Sequence, residues 1–514
     1  MSLSRRDVIA ALAPAVALGL TPGPGRADGE ALSFGPVQPF SFEDLKVQAR
    51  AMARQPFKPR PAPSAERLQA LDFDALSQIH YRPEAALWRD PPGDVPIEFF
   101  HLGRSFPSPV AIHVVDQDGA RQVLYSKALF DIPRGNVAQS LPGDLGFAGF
   151  RVMNRDGKGD WLAYLGAAYF RAATPFNQYG LSARGLALDT ATPKPEEFPS
   201  FTAFWLARDP VGDLVVHALL EGPSVVGAYR ITHRQDADGL TQEIETTLNF
   251  RSPVQRLGVA PLTSMFWYGQ GDRPQATDWR PQVHDSDGLA IWTGTGERIW
   301  RPLENPPRIM TNAFLDTNPR GFGLMQRDRA FTDYEDDAAF YDRRPSVWVE
   351  PIGAWGRGSV QLVEIPTTDE NDDNIVAFWT PERPARAGEA LAFHYRLHWR
   401  AQEPTPVGVA KVMSTRVGPG GGPGRPRVAG MRRFVVDFAG GRLGDLSRQS
   451  GVAPVVTVSG GAPVGSVAYP VVGTDRWRLI FDVAMTSGNT IDLRAFLRLG
   501  ADSLTETWIY QAFG

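Results

Sequence analysis

The 514-residue chain contains no cysteine at all. That removes disulfide scaffolds, zinc–thiolate sites and thiol nucleophiles from consideration, although the chain is long enough to bury a large core without staples. An excess of positive charge is also missing. The 53 basic side chains are outnumbered by 57 acidic ones, so no basic surface for nucleic acid or a polybasic membrane anchor is offered. Beyond the N-terminus no stretch approaches 18 uninterrupted apolar residues, the length a bilayer-spanning helix needs. Nucleotide loops, Gly-x-Ser-x-Gly elbows and His-Glu-x-x-His motifs are absent too, and the eight histidines show no ligand spacing. His394 and His398 are four apart, but in a segment that alternates like a strand.

What is present begins with an export-type leader. Met1-Ser2-Leu3-Ser4-Arg5-Arg6-Asp7-Val8-Ile9 precedes an apolar run from Ala10 to Leu20, and small residues lead up to Ala27. Paired arginines before a short apolar segment have the form of a twin-arginine signal, the route for proteins exported already folded. Val8 to Leu20 is too short for a membrane anchor and contains Pro14. Removing residues 1–27 takes away three arginines and one aspartate, which moves the formal charge from −4 to −6. A soluble mature protein is expected.

Residues 41–52 predict a short amphipathic helix with Ser41 as N-cap and Asp44 three residues on. Beyond Pro59-Arg60-Pro61 the pattern is of strands. Residues 110–115, 214–219, 242–248 and 391–397 are apolar or alternating runs, set apart by Gly, Pro, Asp and Asn. Dense strands without intervening helices predict an all-β protein built around a large sandwich. Near residue 400 the composition changes. The Pro-rich stretch 401–408 suits a linker, and strand-like runs at 433–438, 455–458, 477–483 and 507–511 suit a small immunoglobulin-like sandwich over 409–514. The Gly/Pro cluster at 418–424 reads as a loop inside that module, because a strand-like segment, 409–416, precedes it.

Chemistry concentrates between Pro261 and Trp379. Aromatic blocks (Met265-Phe266-Trp267-Tyr268-Gly269; Trp279-Arg280) stand beside His284-Asp285-Ser286-Asp287-Gly288, the segment 332–341, and Asp369-Glu370-Asn371-Asp372-Asp373-Asn374. Sugar rings present C–H faces and hydroxyl rims, so a carbohydrate cleft combines aromatic faces with Asp, Glu, Asn and Arg. A β-protein core with acidic loops has the same composition. Glycosidic cleavage needs one carboxylic acid for the leaving oxygen and a second carboxylate for water or the sugar itself. Asp285, Asp287, Asp369, Glu370, Asp372 and Asp373 are the candidates. Such Asp/Asn loops also bind calcium or simply face solvent, though the spacing here is not that of an EF-hand. His284 stands out among the histidines because it adjoins Asp285.

The longer motifs carry a resemblance. Residues 178–187 (QYGLSARGLA), 197–205 (EFPSFTAFW), 319–329 (PRGFGLMQRDR) and 344–351 (RPSVWVEP), with 284–288 and 371–376, make the chain similar to the periplasmic glucan biosynthesis G/D family. The resemblance runs from about residue 33 to the C-terminus, and the leader is more like that of the D branch. It implies a galactose-mutarotase-like super-sandwich with a glucan cleft over 33–400, the linker 401–408, and the immunoglobulin-like module over 409–514. It implies β-1,2-linked glucan as ligand, a periplasmic location, and the activity of an inverting glycoside hydrolase or a transglycosylase. A non-catalytic glucan-binding scaffold beside the membrane glucan synthase is the other expectation, and the C-terminal module docking an envelope partner is a third. By motif, the resemblance makes Asp373 the general acid and puts Asp285 and Glu370 in the network that takes the proton from water. Tyr341 would contact substrate or sit on a mobile loop over the cleft. Trp267, Tyr268, Trp279, His284, Arg344 and Trp348 are the remaining expected substrate-binding residues, with no metal and no cofactor.

Overall fold

The computed structural model describes residues 32–89, 95–273, 276–405, 407–421, 427–486 and 488–514. The export leader and Gly422, Pro423 and Gly424 of the Gly/Pro cluster lie outside the described residues. Strands dominate throughout, as the alternating runs predict, and two compact units emerge. The first takes the described residues up to Thr263 together with Asn371–Asp373 and Phe378–Trp399. The second takes Ser264–Glu370, Asn374–Ala377 and Arg400–Gly514.

In the first unit an antiparallel meander runs through Ser200–Arg208, Leu214–Glu221, Val225–Asp236 and Gly239–Phe250. Period-two burial explains its last strand: Leu240, Gln242, Ile244, Thr246 and Leu248 point inward, while the residues between them are less buried. The tight turn before it is closed by Asp236, whose carboxylate accepts from the N–H groups of Asp238 (2.8 Å) and Gly239 (3.1 Å). A second sheet orders Ile97–His101, Phe147–Met153, Asp160–Leu165, Tyr169–Ala172, Ser182–Arg184 and Leu257–Ser264. Rings from the two sheets meet in the unit's interior. Tyr164 stacks on Phe150 (5.2 Å) and Phe170 (5.0 Å) and takes Phe204 edge-on (5.9 Å). The predicted N-terminal helix forms over Phe42–Ala53, with Ser41 Oγ accepting from Asp44 N at 3.1 Å. Its Leu45 and Ala49, one turn apart, pack on Leu219, Val226 and Ala228.

The second unit contains one sheet ordered Ala453–Val458, Thr490–Leu499, Thr507–Phe513, Arg298–Pro302, Gly288–Trp292, Gly321–Met325 and Ser346–Pro351. Arg298–Pro302 pairs in parallel with Thr507–Phe513, matching Ile299 to Thr507 and Trp300 to Trp508. A four-stranded sheet of Lys411–Pro419, Met431–Ala439, Arg476–Ala484 and Val464–Pro470 shares a core with the C-terminal strands: Phe434, Phe481, Trp477, Trp508 and Tyr510. The C-terminal sandwich expected from the strand spacing is therefore present. Lys411–Pro419 and Met431–Ala439 pair antiparallel within it.

The units do not part at 401–408, since residues 400–514 group with 264–370. The Glu403 side chain is buried between Arg327, at 2.9 Å, and Lys411. Burial alone would raise its pKa, but the two cations overcome this and hold it down at about 2. Two signature glycines are explained by close packing. A Cβ on Gly321 would lie 2.4 Å from the Trp348 ring, and one on Gly288 would lie 2.2 Å from the Trp300 ring. Among the described residues no helix is long and apolar enough to cross a membrane.

Candidate active site

Most of the expected residues lie in the second unit, on three short segments braced by backbone hydrogen bonds. The first is a ribbon of Phe266–Tyr268 against Val283–His284, just after which Asp285 N donates to Met265 O at 2.9 Å. The second is the single 3₁₀ turn Tyr341–Arg343, leading into Arg344. The third is the acidic loop between Ile365 and Asn374. Asn374 pins one end of it, accepting from Phe266 N (2.8 Å) and donating to Phe266 O and Ile365 O (2.9 Å each). Asn305 pins the other, exchanging bonds with the backbone of Thr367 at 2.8 and 3.0 Å.

Two carboxylates in this unit are each held by an arginine. Arg344 binds Asp285, and both side chains are buried. Burial opposes the Arg344 charge, but Asp285 and then Tyr341 outweigh it and raise the pKa. Arg280 chelates Glu370 with two bonds of 2.8 and 3.1 Å, and also binds Asp336 at 2.7 Å and Asp278 at 2.8 Å. Again burial works against the guanidinium and three acids prevail. Tyr341 joins the two pairs. Its hydroxyl donates to Glu370, while the Arg344 guanidinium lies over its ring, 4.2 Å from the centroid. Burial first, then the charges of Asp285 and Glu370, push the Tyr341 pKa far above the ordinary tyrosine value, so it stays a proton donor. The Tyr341 hydroxyl therefore has one hydrogen-bonded carboxylate, Glu370, and meets the Asp285 pair only through the ring face that lies under Arg344.

His284 is completely buried, stacked on Phe266 (5.4 Å) and edge-on to Tyr334 (5.2 Å). Burial drops its pKa to about 3, so the ring is neutral. Tyr268 is buried as well and donates to Arg280 O at 3.0 Å. Burial raises its pKa to about 12. Trp348 is 3 % exposed and belongs to the core cluster with Trp300 and Trp508. Arg344, His284, Tyr268 and Trp348 therefore act from behind the surface. Trp279, 70 % exposed, and the half-buried Trp267 are the aromatic faces open to a ligand. Asp373 groups with the first unit alongside Asn371 and Asp372. There its charge acts on buried Arg184, which pairs with Glu196 at 3.1 Å. Among the described residues no cluster of His, Asp and Glu side chains is arranged to hold a metal ion.

Several residues essential to this arrangement escape the sequence reading: Arg280, Asp336, Gln326 and Arg329. Arg329 donates to the carbonyls of Asp342 (3.2 Å) and Arg344 (2.9 Å), fixing the turn that carries Tyr341. Gln326 donates to the carbonyls of His284 (3.0 Å) and Tyr341 (3.1 Å). Each lies inside a segment that the sequence marks, Arg280 beside Trp279, Asp336 within 332–341, and Gln326 and Arg329 within 319–329, but nothing local singles out these side chains.

The chain matches the family model described as "Periplasmic glucan biosynthesis protein, MdoG" over residues 40–512. It is 47 % identical to glucans biosynthesis protein D 2 of Ralstonia nicotianae, with 99 % of this chain and 97 % of the relative covered. Identity to glucans biosynthesis protein D of Stenotrophomonas maltophilia is 48 %, covering 93 % and 90 % of the two chains. A probable glucans biosynthesis protein D of Shewanella oneidensis is 46 % identical over 92 % of this chain and 88 % of its own. Near-complete coverage at this identity, on top of the motif resemblance, means that the chain belongs to the periplasmic glucan biosynthesis protein family.

Proposed function

We propose that the protein works in the periplasm on the β-1,2-linked glucose backbone of osmoregulated glucans, as an inverting glycoside hydrolase or a transglycosylase. The observation that carries this reading is the pairing of buried Asp285 with buried Arg344, whose guanidinium covers the ring of Tyr341, itself hydrogen-bonded to the half-buried Glu370. A protein that only held glucan would have no use for a buried ion pair set against a buried phenol, an expensive arrangement to fold. Asp373 donates its proton to the leaving oxygen, and Asp285 and Glu370 belong to the network that takes the proton from the attacking hydroxyl, the Tyr341 hydroxyl being bonded to Glu370. Trp279 and Trp267 offer sugar-stacking faces. Water as nucleophile gives hydrolysis; a sugar hydroxyl gives transfer or ring closure.

Mass spectrometry of products from linear β-1,2-glucan tests the reading directly. Products that gain one water mean hydrolysis, and mass-neutral rings or redistributed lengths mean transfer. Asp373→Asn is expected to abolish either reaction while leaving glucan binding largely intact. A mature protein that binds the glucan but leaves its size unchanged at every pH from about 4 to 8 would instead be a scaffold.

A further inference from the structure

His284 presents a hydrogen-bonding conflict whose resolution assigns a proton elsewhere. Its Nδ1 lies 3.0 Å from Gln326 Oε1, and its Nε2 lies 3.1 Å from Gln282 Oε1. The orientation of Gln326 is not free, because its Nε2 serves two backbone carbonyls, which can only accept. Gln326 Oε1 must therefore receive Nδ1–H. A neutral imidazole then has only a lone pair at Nε2, and that lone pair needs a donor. The Gln282 amide supplies it by turning its N–H₂ toward His284, which directs its oxygen at the next partner along, Asp328 Oδ2, 3.0 Å away. Two oxygens at that distance require a proton between them. The alternative is a doubly protonated imidazole, buried with no exposed surface and no carboxylate in contact.

We propose that Asp328 holds a proton at neutral pH and, through Gln282, fixes His284 as a neutral acceptor, so that Asp328 and Gln282 are positioning residues for the Tyr341 turn. The connection is continuous: Asp328 to Gln282, to His284, to Gln326, to the Tyr341 carbonyl, every member in the second unit. Gln270 adds a bond of 2.7 Å to Asp328 Oδ2, which the protonated oxygen accepts through a remaining lone pair, more weakly than a carboxylate would. The surroundings favour the neutral form. Asp328 N donates to Asp287 Oδ2 at 2.9 Å, bringing two acids to one turn, and both face a cavity of about 50 Å³ that Asp272 also lines. Asp287 Oδ2 takes two backbone N–H bonds, from Arg327 (2.8 Å) and Asp328, while burial and the neighbouring Asp328 charge push its pKa up to about 7. Burial does most to raise the Asp328 pKa; Asp333, in the short helix Phe331–Tyr334, adds repulsion, Arg476 opposes it, and Arg327 and Arg329 flank the residue while engaged elsewhere. Tyr334 donates to Asp328 O at 3.0 Å.

This inference rests on the enzyme reading for its consequence but not for its test. Nitrogen NMR of histidine-labelled full-length mature protein, with His284→Gln identifying the resonance, should show His284 neutral and protonated at Nδ1 at neutral pH. A doubly protonated His284 would overturn the proposal. Gln282→Glu puts a carboxylate against Nε2 and should convert the ring to the cation; an unchanged ring would also overturn it. In glucan cleavage, Asp328→Leu should lower kcat about tenfold or more with little change in KM. Asp328→Asn, which mimics the protonated carboxyl, should restore most of that loss and remove the fall in rate on the alkaline side. An Asn variant as impaired as the Leu variant would refute the protonated state. If the protein proves not to cleave glucan at all, the enzyme reading fails, while the imidazole spectra still decide the proton's position.

Discussion

The two units solve the problem of buried polarity in opposite ways. In the first, the interior polar groups are mostly neutral. Tyr164 shares its hydroxyl with His233 (2.9 Å) and Gln242 (3.0 Å), and Trp399 Nε1 donates to Gln242 at 2.6 Å. His101, His113, His217 and His233 all have depressed pKa values, caused first by burial. In the second, the interior is charged: Arg280, Arg301, Arg327 and Arg344 each sit among two or more acids or acid-holding groups. Neutral networks specify a core at modest cost, whereas buried ion clusters cost desolvation energy that only close pairing offsets. The second unit's fold carries that cost at Arg280, Arg301, Arg327 and Arg344.

Breaking the charged interior should therefore cost most. Arg327 is held by Glu506 through two bonds of 2.8 Å, by Glu403, by Val412 O and over the Trp300 ring. Arg327→Met leaves Glu506 buried without its cation and Glu403 with Lys411 alone, and about 3–5 kcal/mol of stability should vanish in denaturant unfolding. The same contacts predict the fate of a chain cut near residue 405. Arg327 would lose Glu506, so the segment 264–370 should not keep its structure. That runs against the expectation that the C-terminal module is a separable docking unit, and hydrogen exchange across 264–370 checks it.

Acid and base should separate the units next. His233, pushed down to about 4 by burial, is neutral in the folded first unit. A folded pKa below the unfolded one of about 6.5 gives stability that is present above that value and lost as pH falls toward 4. The second unit adds acids shifted the other way. Burial raises Asp272 to about 6, and raises Glu304 and Glu364 as well, with their mutual repulsion adding and Arg301 opposing. Their raised values mean stability present below the unfolded carboxyl pKa of about 4 and lost as pH rises through 6 and beyond. Hydrogen exchange followed segment by segment should show the first unit loosening between pH 6.5 and 4, and the charged core of the second loosening from weakly acid to weakly alkaline pH. Equal responses in both would mean that these groups do not govern stability.

Much of the neutral interior was legible in the sequence, and little of the charged one. Alternation marked Gly239–Phe250 and Met431–Ala439, and Ser41 with Asp44 marked the helix start, because these signals are local. The Pro-rich composition of 401–408 suggested a linker, yet Glu403 is fastened by Arg327, 76 positions earlier, a pairing that no window of sequence reveals. The parallel pairing of Arg298–Pro302 with Thr507–Phe513 is equally remote. Around the site, motif resemblance supplied Asp285, Glu370 and Tyr341. It could not separate Trp348, which fills the core, from Trp279, which faces outward, since a tryptophan reads alike in either setting.

The smallest effect expected from breaking this contrast belongs to the neutral network itself. Tyr164→Phe keeps the stacking on Phe150 and Phe170 and removes only the hydroxyl. His233 Nε2 and one Gln242 N–H then lose their partner in a space with no room for a replacement. Unsatisfied neutral groups of this kind cost about 1–3 kcal/mol, less than a stranded charge. His233 keeps its second bond, to Leu214 O at 3.0 Å, which should hold the ring in place. The variant should therefore unfold at a lower denaturant midpoint with an unchanged slope, and glucan turnover should stay as it was. A loss matching that of Arg327→Met would show that the first unit's core is as finely balanced as the charged one, and that charge is not what distinguishes them.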